Sequence, residues 1–324
     1  MNEISFSDRI FCFNPYDENK RNRVVYHYTS PDGLLAILKT SSIRFTDCEY
    51  LNDKSEYNHI RIPLDKAFEE VRDKLYNSDL PEMIEGYINA EYDYSELVTE
   101  KAESGLKGIR FLNMRHFVFC ASNDSDSLNM WNYYVKNGTY QGYNIGLSVN
   151  DIVKLLYNKI GKYGKLFYGQ VIYSDKEKIE ILKNIIVKVD KDLNNALQLN
   201  DDNEENDLIV QEHYGDLISY IENYRLFFKD VAFSGEREYR FVLRLSDDQL
   251  MNSNDNLNIS YCIKQGIVTP YYDMPFDKTG IIKGITISPM IEPQLAKSGL
   301  HRFLKDYEYN SKIYIDFSKI PIRY

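Results

Sequence analysis

The spacing of polar and apolar positions along this chain changes period many times. Apolar residues alternate, or run together in short blocks, in VVYHY, IRFTD, RHFVFCASN, YQGYNIGLSV, KLFYGQVIYS, REYRFVLRL, LNISYCI, IIKGITISP and KIYIDFSKIPIRY, and each block predicts a strand. In RHFVFCASN, Phe117 and Phe119 point to one side and His116, Val118 and Cys120 to the other. Between these blocks the period lengthens. Leu34, Leu35, Ile37 and Leu38 form a helical stripe behind Ser30 as N-cap and Pro31 at the first helical position. Mostly helical stretches are predicted at about 56–77 and 82–104, a short helix in DSLNMWNYYVKNG, and a helix with exposed lysines over about 176–198. Another helix follows through about 229, after the acidic loop QLNDDNEEND, and a further one lies in PQLAKSGLHRFLKDY. Many short strands with uneven helices between them predict an α+β fold. It reads as a single domain over 1–324, with helical insertions at about 56–108 and 176–229.

Composition narrows the classes of function. The formal net charge of −10 argues against a broad nucleic-acid footprint, which needs clustered Lys and Arg. Cys12, Cys48, Cys120 and Cys262 are scattered with no CxxC pair, so neither a zinc site nor a disulfide framework is signalled. No metal is therefore expected. The first residues lack a long apolar run, and no stretch approaches the roughly 20 apolar residues of a membrane span; a cytoplasmic protein with no membrane partner is expected. There is no GxGxxG fingerprint, Walker loop or GxSxG elbow. The 28 tyrosines favour strands and ring-lined pockets.

Three places carry candidate chemistry. His27 stands where a strand hands over to a helix, with the hydroxyls of Thr29 and Ser30 just after it; it is either a ligand hook or an imidazole that pins a buried carbonyl. Trp131, Tyr133 and Tyr134 put three rings on one turn, either to stack on a planar ligand or to anchor the helix. Glu236 and Glu238 lie two apart in GEREYRFVL and would share a face if extended. Two such carboxylates raise one another's pKa and can divide acid–base work; the alternative is a solvated turn of paired charges. His59, His213 and His301 lie in polar helical contexts and are expected at the surface, and LNDKSE reads as a polar turn.

Four segments in this order, YHYTSPDGLLAIL with IRFTDCEYLNDKSE, then CASNDSDSLNMWNYYVKNGTYQGYNIGLS, then GEREYRFVL, then ITISPMIEP through SKIPIRY, resemble a bacterial family catalogued as DUF2971. The resemblance leaves out the two helical insertions. Members of that family look like distant relatives of the ADP-ribosyltransferase fold, and some occur in bacterial defence. The resemblance implies a split β-sheet core and NAD as substrate. In the His–Tyr–Glu class of these enzymes a His on the first core strand bonds a ribose hydroxyl, the next residue's backbone clamps the nicotinamide amide, a Tyr stacks on the ring, and a Glu binds the nicotinamide ribose. By resemblance these roles fall to His27, Tyr28 with Thr29, Tyr134 or Trp131, and Glu238, with Glu236 orienting an acceptor. Tyr28 stands where the class usually has Gly, and the second motif is not the usual one. Arg44, Arg240 or Arg323 could reach a pyrophosphate.

The activity implied is an NAD-dependent ADP-ribosyltransferase, a toxin or phage-defence effector that modifies a protein or nucleic-acid acceptor, with an antitoxin or defence partner. The rival is a non-catalytic domain that senses a nucleotide or a phage component through the same cleft. A third reading, the tRNA 2′-phosphotransferase branch, wants more basic residues around the His than this sequence supplies.

Overall fold

The computed structural model describes residues 10–12, 23–51, 59–89, 114–135, 140–160, 164–200, 206–246, 259–264 and 266–322. The LNDKSE turn beyond Leu51, and Arg323, lie outside them. The chain divides into two compact units, one built from Met1–Leu51, Met114–Val171 and Ala232–Tyr324, the other from Asn52–Asn113 and Ile172–Val231.

The first unit is a mixed α and β layer structure. Its strands are β1 (Ile10–Cys12), β2 (Val24–Thr29), β3 (Ser42–Asp47), β4 (Met114–Ser122), β5 (Tyr143–Ser148), β6 (Gly164–Gln170), β7 (Glu238–Ser246), β8 (Ile259–Lys264), β9 (Ile267–Pro275), β10 (Ile282–Ile287) and β11 (Tyr314–Phe317). Among the described residues they join in one sheet whose main path runs β1-β6-β7-β4-β2-β5-β10-β11, with β3, β9 and β8 branching from β4. Every pairing is antiparallel except β10 with β11. Strands β2 and β4 touch through one residue pair, Tyr26 with Ser122. Deeper along β4, Val118 and Phe117 pair with β3 instead. The sheet therefore opens between β2 and β4, just beside His27.

Helix α1 (Pro31–Thr40) follows β2 directly. Ser30 Oγ accepts from Gly33 N at 3.1 Å, and Pro31 fills the first turn. Gly33 is there because a Cβ would lie 2.0 Å from Thr29 Oγ1. The helix ends at Ser41 with φ of 48°, a left-handed cap. Leu34 and Leu38 join the main core with Val25, Phe45, Phe119, Ile145, Phe241 and Ile285. The strands β1 and β9 are absent from the pattern reading, as is the helix over Val149–Ile160, whose buried Val149, Ile152, Val153, Leu156 and Ile160 recur at helical spacing.

The second unit is helical, with α2 (Arg61–Val71), α3 (Asp79–Asn89), α6 (Asp175–Leu199) and α7 (Asn206–Arg225); α4 (Leu128–Tyr134) and α5 (Val149–Ile160) belong to the first unit, as does α8 (Pro293–Asp306). Helix α2 packs on α3 and α6, and α6 on α7. Part of the stretch read as helix over 82–104 lies outside the described residues. Two polar expectations change here. Lys178, read as an exposed lysine, is fully buried. Its Nζ donates to Asp175 Oδ1 at 2.9 Å and to His59 Nε2 at 2.7 Å, so His59 is a half-buried acceptor rather than a surface residue. A buried ammonium needs such partners. No helix among the described residues is long and apolar enough to cross a membrane, and none of their His, Cys, Asp and Glu side chains group to hold a metal ion.

Candidate functional site

The lead-in to β7 is bent. A 3-10 turn over Val231–Glu236 ends at Glu236, Arg237 takes φ of 45°, and the strand begins only at Glu238. A left-handed conformation costs a non-glycine residue roughly 1–2 kcal/mol. The surroundings hold it: Arg237 N donates to Ser234 O at 3.2 Å, and Arg237 O accepts from Asn123 N at 2.9 Å and Asn123 Nδ2 at 3.0 Å. The extended Glu-x-Glu geometry read from the sequence is therefore corrected: the two carboxylates are set by a turn, not by strand alternation.

Each carboxylate has its own partners. Glu236 is buried, and Tyr134 Oη donates to its Oε1 at 3.1 Å. Its backbone carbonyl accepts from Ser122 Oγ at 2.7 Å. Gly235 lets α4 come this close, since a Cβ there would fall 2.5 Å from Asn129 Nδ2. Glu238, also buried, is gripped by Arg240 on the same face of β7, with Nε to Oε1 at 2.7 Å and Nη2 to Oε2 at 2.9 Å. Arg240 is thus committed to Glu238. It is not a free cation for a phosphate.

The rings sort differently from the sequence expectation. Trp131 is 0% exposed, its Nε1 donates to Asp126 Oδ1 at 2.8 Å, and it meets Tyr28 edge-on at 4.7 Å between centroids. It anchors α4, and burial removes it as a ring on which a ligand could stack. Tyr134 is 37% exposed and Tyr133 is 66% exposed, so Tyr134 alone combines an accessible ring with a hydroxyl on Glu236. Tyr28 is buried; its hydroxyl donates to Asp124 O at 2.8 Å and accepts from Ser127 N at 2.9 Å. Burial raises its phenol above the ordinary range, which keeps it a neutral brace for the loop before α4. That brace explains a tyrosine where the resembling class has glycine.

His27 does not join this cluster. Tyr26 pairs with Ser122, and Ser122 pairs with Glu238. Residues opposite one another across strands share a face, so Tyr26, Ser122 and Glu238 point one way and His27 the other. Its ring lies 5.0 Å from Phe119 of the main core, and its Nδ1 donates to Cys120 O at 3.1 Å across the opening between β2 and β4. Burial is the larger influence and lowers the imidazole pKa, partly offset by that bond. As pH falls through about 6.5 the unfolded chain takes up a proton that folded His27 refuses, so stability drops on acidification. Replacing His27 by Gln should flatten the stability–pH curve between pH 7.5 and 5.5, by at most about 1.4 kcal/mol per pH unit, in urea unfolding. An unchanged slope would remove His27 from this account.

Thr29 ends β2, half-buried against Gly33. Arg44 lies on the β3–β9 ribbon, 3.3 Å from Asp273 Oδ1 and stacked on Tyr271 at 3.6 Å, in contacts that do not involve the Glu236 cluster.

Residues 130–241 match a family model described as "Protein of unknown function (DUF2971)". Over that stretch the chain is similar to DUF2971. The stretch holds most of α4 with Tyr134 and the start of β7 with Glu236 and Glu238, and its bounds enclose Ile172–Val231. His27 lies before it. No curated protein and no solved structure matches the chain. The sequence reading passed over Arg237, although it sits between the two glutamates; a charged residue in a left-handed turn carries no periodicity to signal it.

Proposed function

We propose that the chain is an NAD-consuming ADP-ribosyltransferase centred on Glu236 and Tyr134, acting on a macromolecular acceptor in a toxin or defence setting. One observation carries the reading: an accessible tyrosine ring whose hydroxyl is held on a buried carboxylate, next to a second carboxylate. Cleavage of the nicotinamide C1′–N bond sends the bonding electrons to the ring nitrogen and leaves positive charge on the ribose. A preorganised carboxylate in a water-poor place stabilises that charge. Tyr134 would stack on the departing ring and fix the Glu236 rotamer. Glu238, with both oxygens on Arg240, serves to hold the β7 entry. The ribose contact assigned by resemblance to His27 has no place in this arrangement, because His27 occupies the other face.

The closure of Glu238 by Arg240 favours one rival, a domain that binds a nucleotide without turning it over. The two separate cleanly. Glu236→Gln keeps the shape and should reduce nicotinamide release from NAD by about 10²–10³-fold, the scale of losing one oriented electrostatic contact, with NAD affinity within a few-fold of wild type. NAD binding with no nicotinamide released by the wild-type protein would leave the sensing domain. No NAD binding would end the NAD-consuming reading and, for NAD as its ligand, the sensing one.

A further inference from the structure

Of the arginines that the sequence offered for a pyrophosphate, Arg240 is closed on Glu238, Arg44 lies on the β3–β9 ribbon in contacts that do not involve the Glu236 cluster, and Arg323 lies outside the described residues. Another pair of guanidinium groups stands at the candidate site. Arg237, with its side chain 63% exposed, lies between Glu236 and Glu238 and donates from Nη1 to Asp124 Oδ1 at 2.6 Å. Arg23, exposed just before β2, donates from Nη1 to Asn123 Oδ1 at 3.2 Å. Both cations thus converge on the same two-residue turn. That turn is fastened to the β7 lead-in through Arg237 O and, by way of Ser122, through Glu236 O.

Resting on the reading above, we infer that Arg237, with Arg23 beside it, grips the phosphates of a pyrophosphate-bearing nucleotide whose sugar lies at Glu236. Two physical points carry this. Glycine would take the left-handed conformation of residue 237 without strain, yet an arginine stands there, and among the described residues its side chain pairs only with Asp124, in a largely exposed ion pair of the kind that contributes little to folding. An exposed Arg–Asp pair is also readily exchanged: a guanidinium binds phosphate through two parallel N–H···O bonds, which Asp124 does not offer here. In a chain of net charge −10, two exposed guanidiniums on one turn form a local anion site.

The test uses three probes, NAD, inorganic pyrophosphate and nicotinamide riboside, which lacks the phosphates. Arg237→Gly relieves the backbone strain, so the protein should melt no lower than wild type. It should weaken NAD and pyrophosphate binding by about ten-fold or more and leave nicotinamide riboside within two-fold. Arg23→Gln should weaken the same two probes by a smaller factor. NAD and pyrophosphate affinities unchanged in Arg237→Gly would overturn the inference, as would an equal loss for nicotinamide riboside. Pyrophosphate binding that depends on Arg237, in a protein that releases no nicotinamide, would uphold the phosphate grip while the catalytic reading falls.

Discussion

Glu238→Ala should destabilise the fold by about 3–5 kcal/mol, the usual effect of leaving one member of a buried ion pair uncompensated. Arg240 is 2% exposed and faces Glu238 through two short bonds, so the substitution takes both of these bonds and their negative charge from a buried guanidinium. Glu238→Gln would also remove the negative charge that faces Arg240, and a loss of activity in that variant would mix chemistry with folding. This is why Glu236, not Glu238, is the clean catalytic test. The double replacement Glu238→Leu with Arg240→Met removes both charges and should recover most of the lost stability, because a buried pair is often no better than apolar residues of similar size. Urea unfolding of the two variants checks the pair. A loss below about 1 kcal/mol in Glu238→Ala would mean that the carboxylate is not holding Arg240 as described.

Trp131→Ala is the second large effect, about 3–5 kcal/mol from cavity formation alone. The indole is wholly buried among Tyr28, Met130 and Val135. It also fills one of three bonds on Asp126, the others coming from Ser318 Oγ and Lys319 N, each at 2.7 Å. Losing the ring should free α4 and, with it, the Tyr134–Glu236 contact. Trp131→Phe keeps much of the volume and gives up the Nε1 bond, so its cost should be nearer 1–2 kcal/mol and the Tyr134 contact should survive. Chemical denaturation gives the stabilities, and hydrogen exchange over Leu128–Tyr134 reports whether the helix opens ahead of the global transition. If Trp131→Ala kept wild-type exchange there, the indole would not be the anchor.

Much of this was legible in local pattern. Ser30 and Pro31 mark the start of α1, and the alternation around Phe117 and Phe119 marks β4, because a cap and a period-two face are decided within a few residues. The pattern failed at β9, which carries two prolines and takes its extended shape from pairing with β3 on one side and β8 on the other. It failed again at Lys178, where a helical lysine reads as exposed until Asp175 and His59 are seen to satisfy it.

By itself, the sequence determined the types of most elements, the α1 cap, the ring cluster on α4 and the closeness of two glutamates, all matters of residues a few positions apart. Only the tertiary structure decided which of them meet. The register through Tyr26, Ser122 and Glu238 turned His27 to the opposite face, and beside the positive φ at Arg237 the carboxylates of Glu236 and Glu238 meet different partners, Tyr134 and Arg240. Side-chain direction in a sheet flips with every residue, so a single step of register between distant strands outweighs anything their own compositions specify.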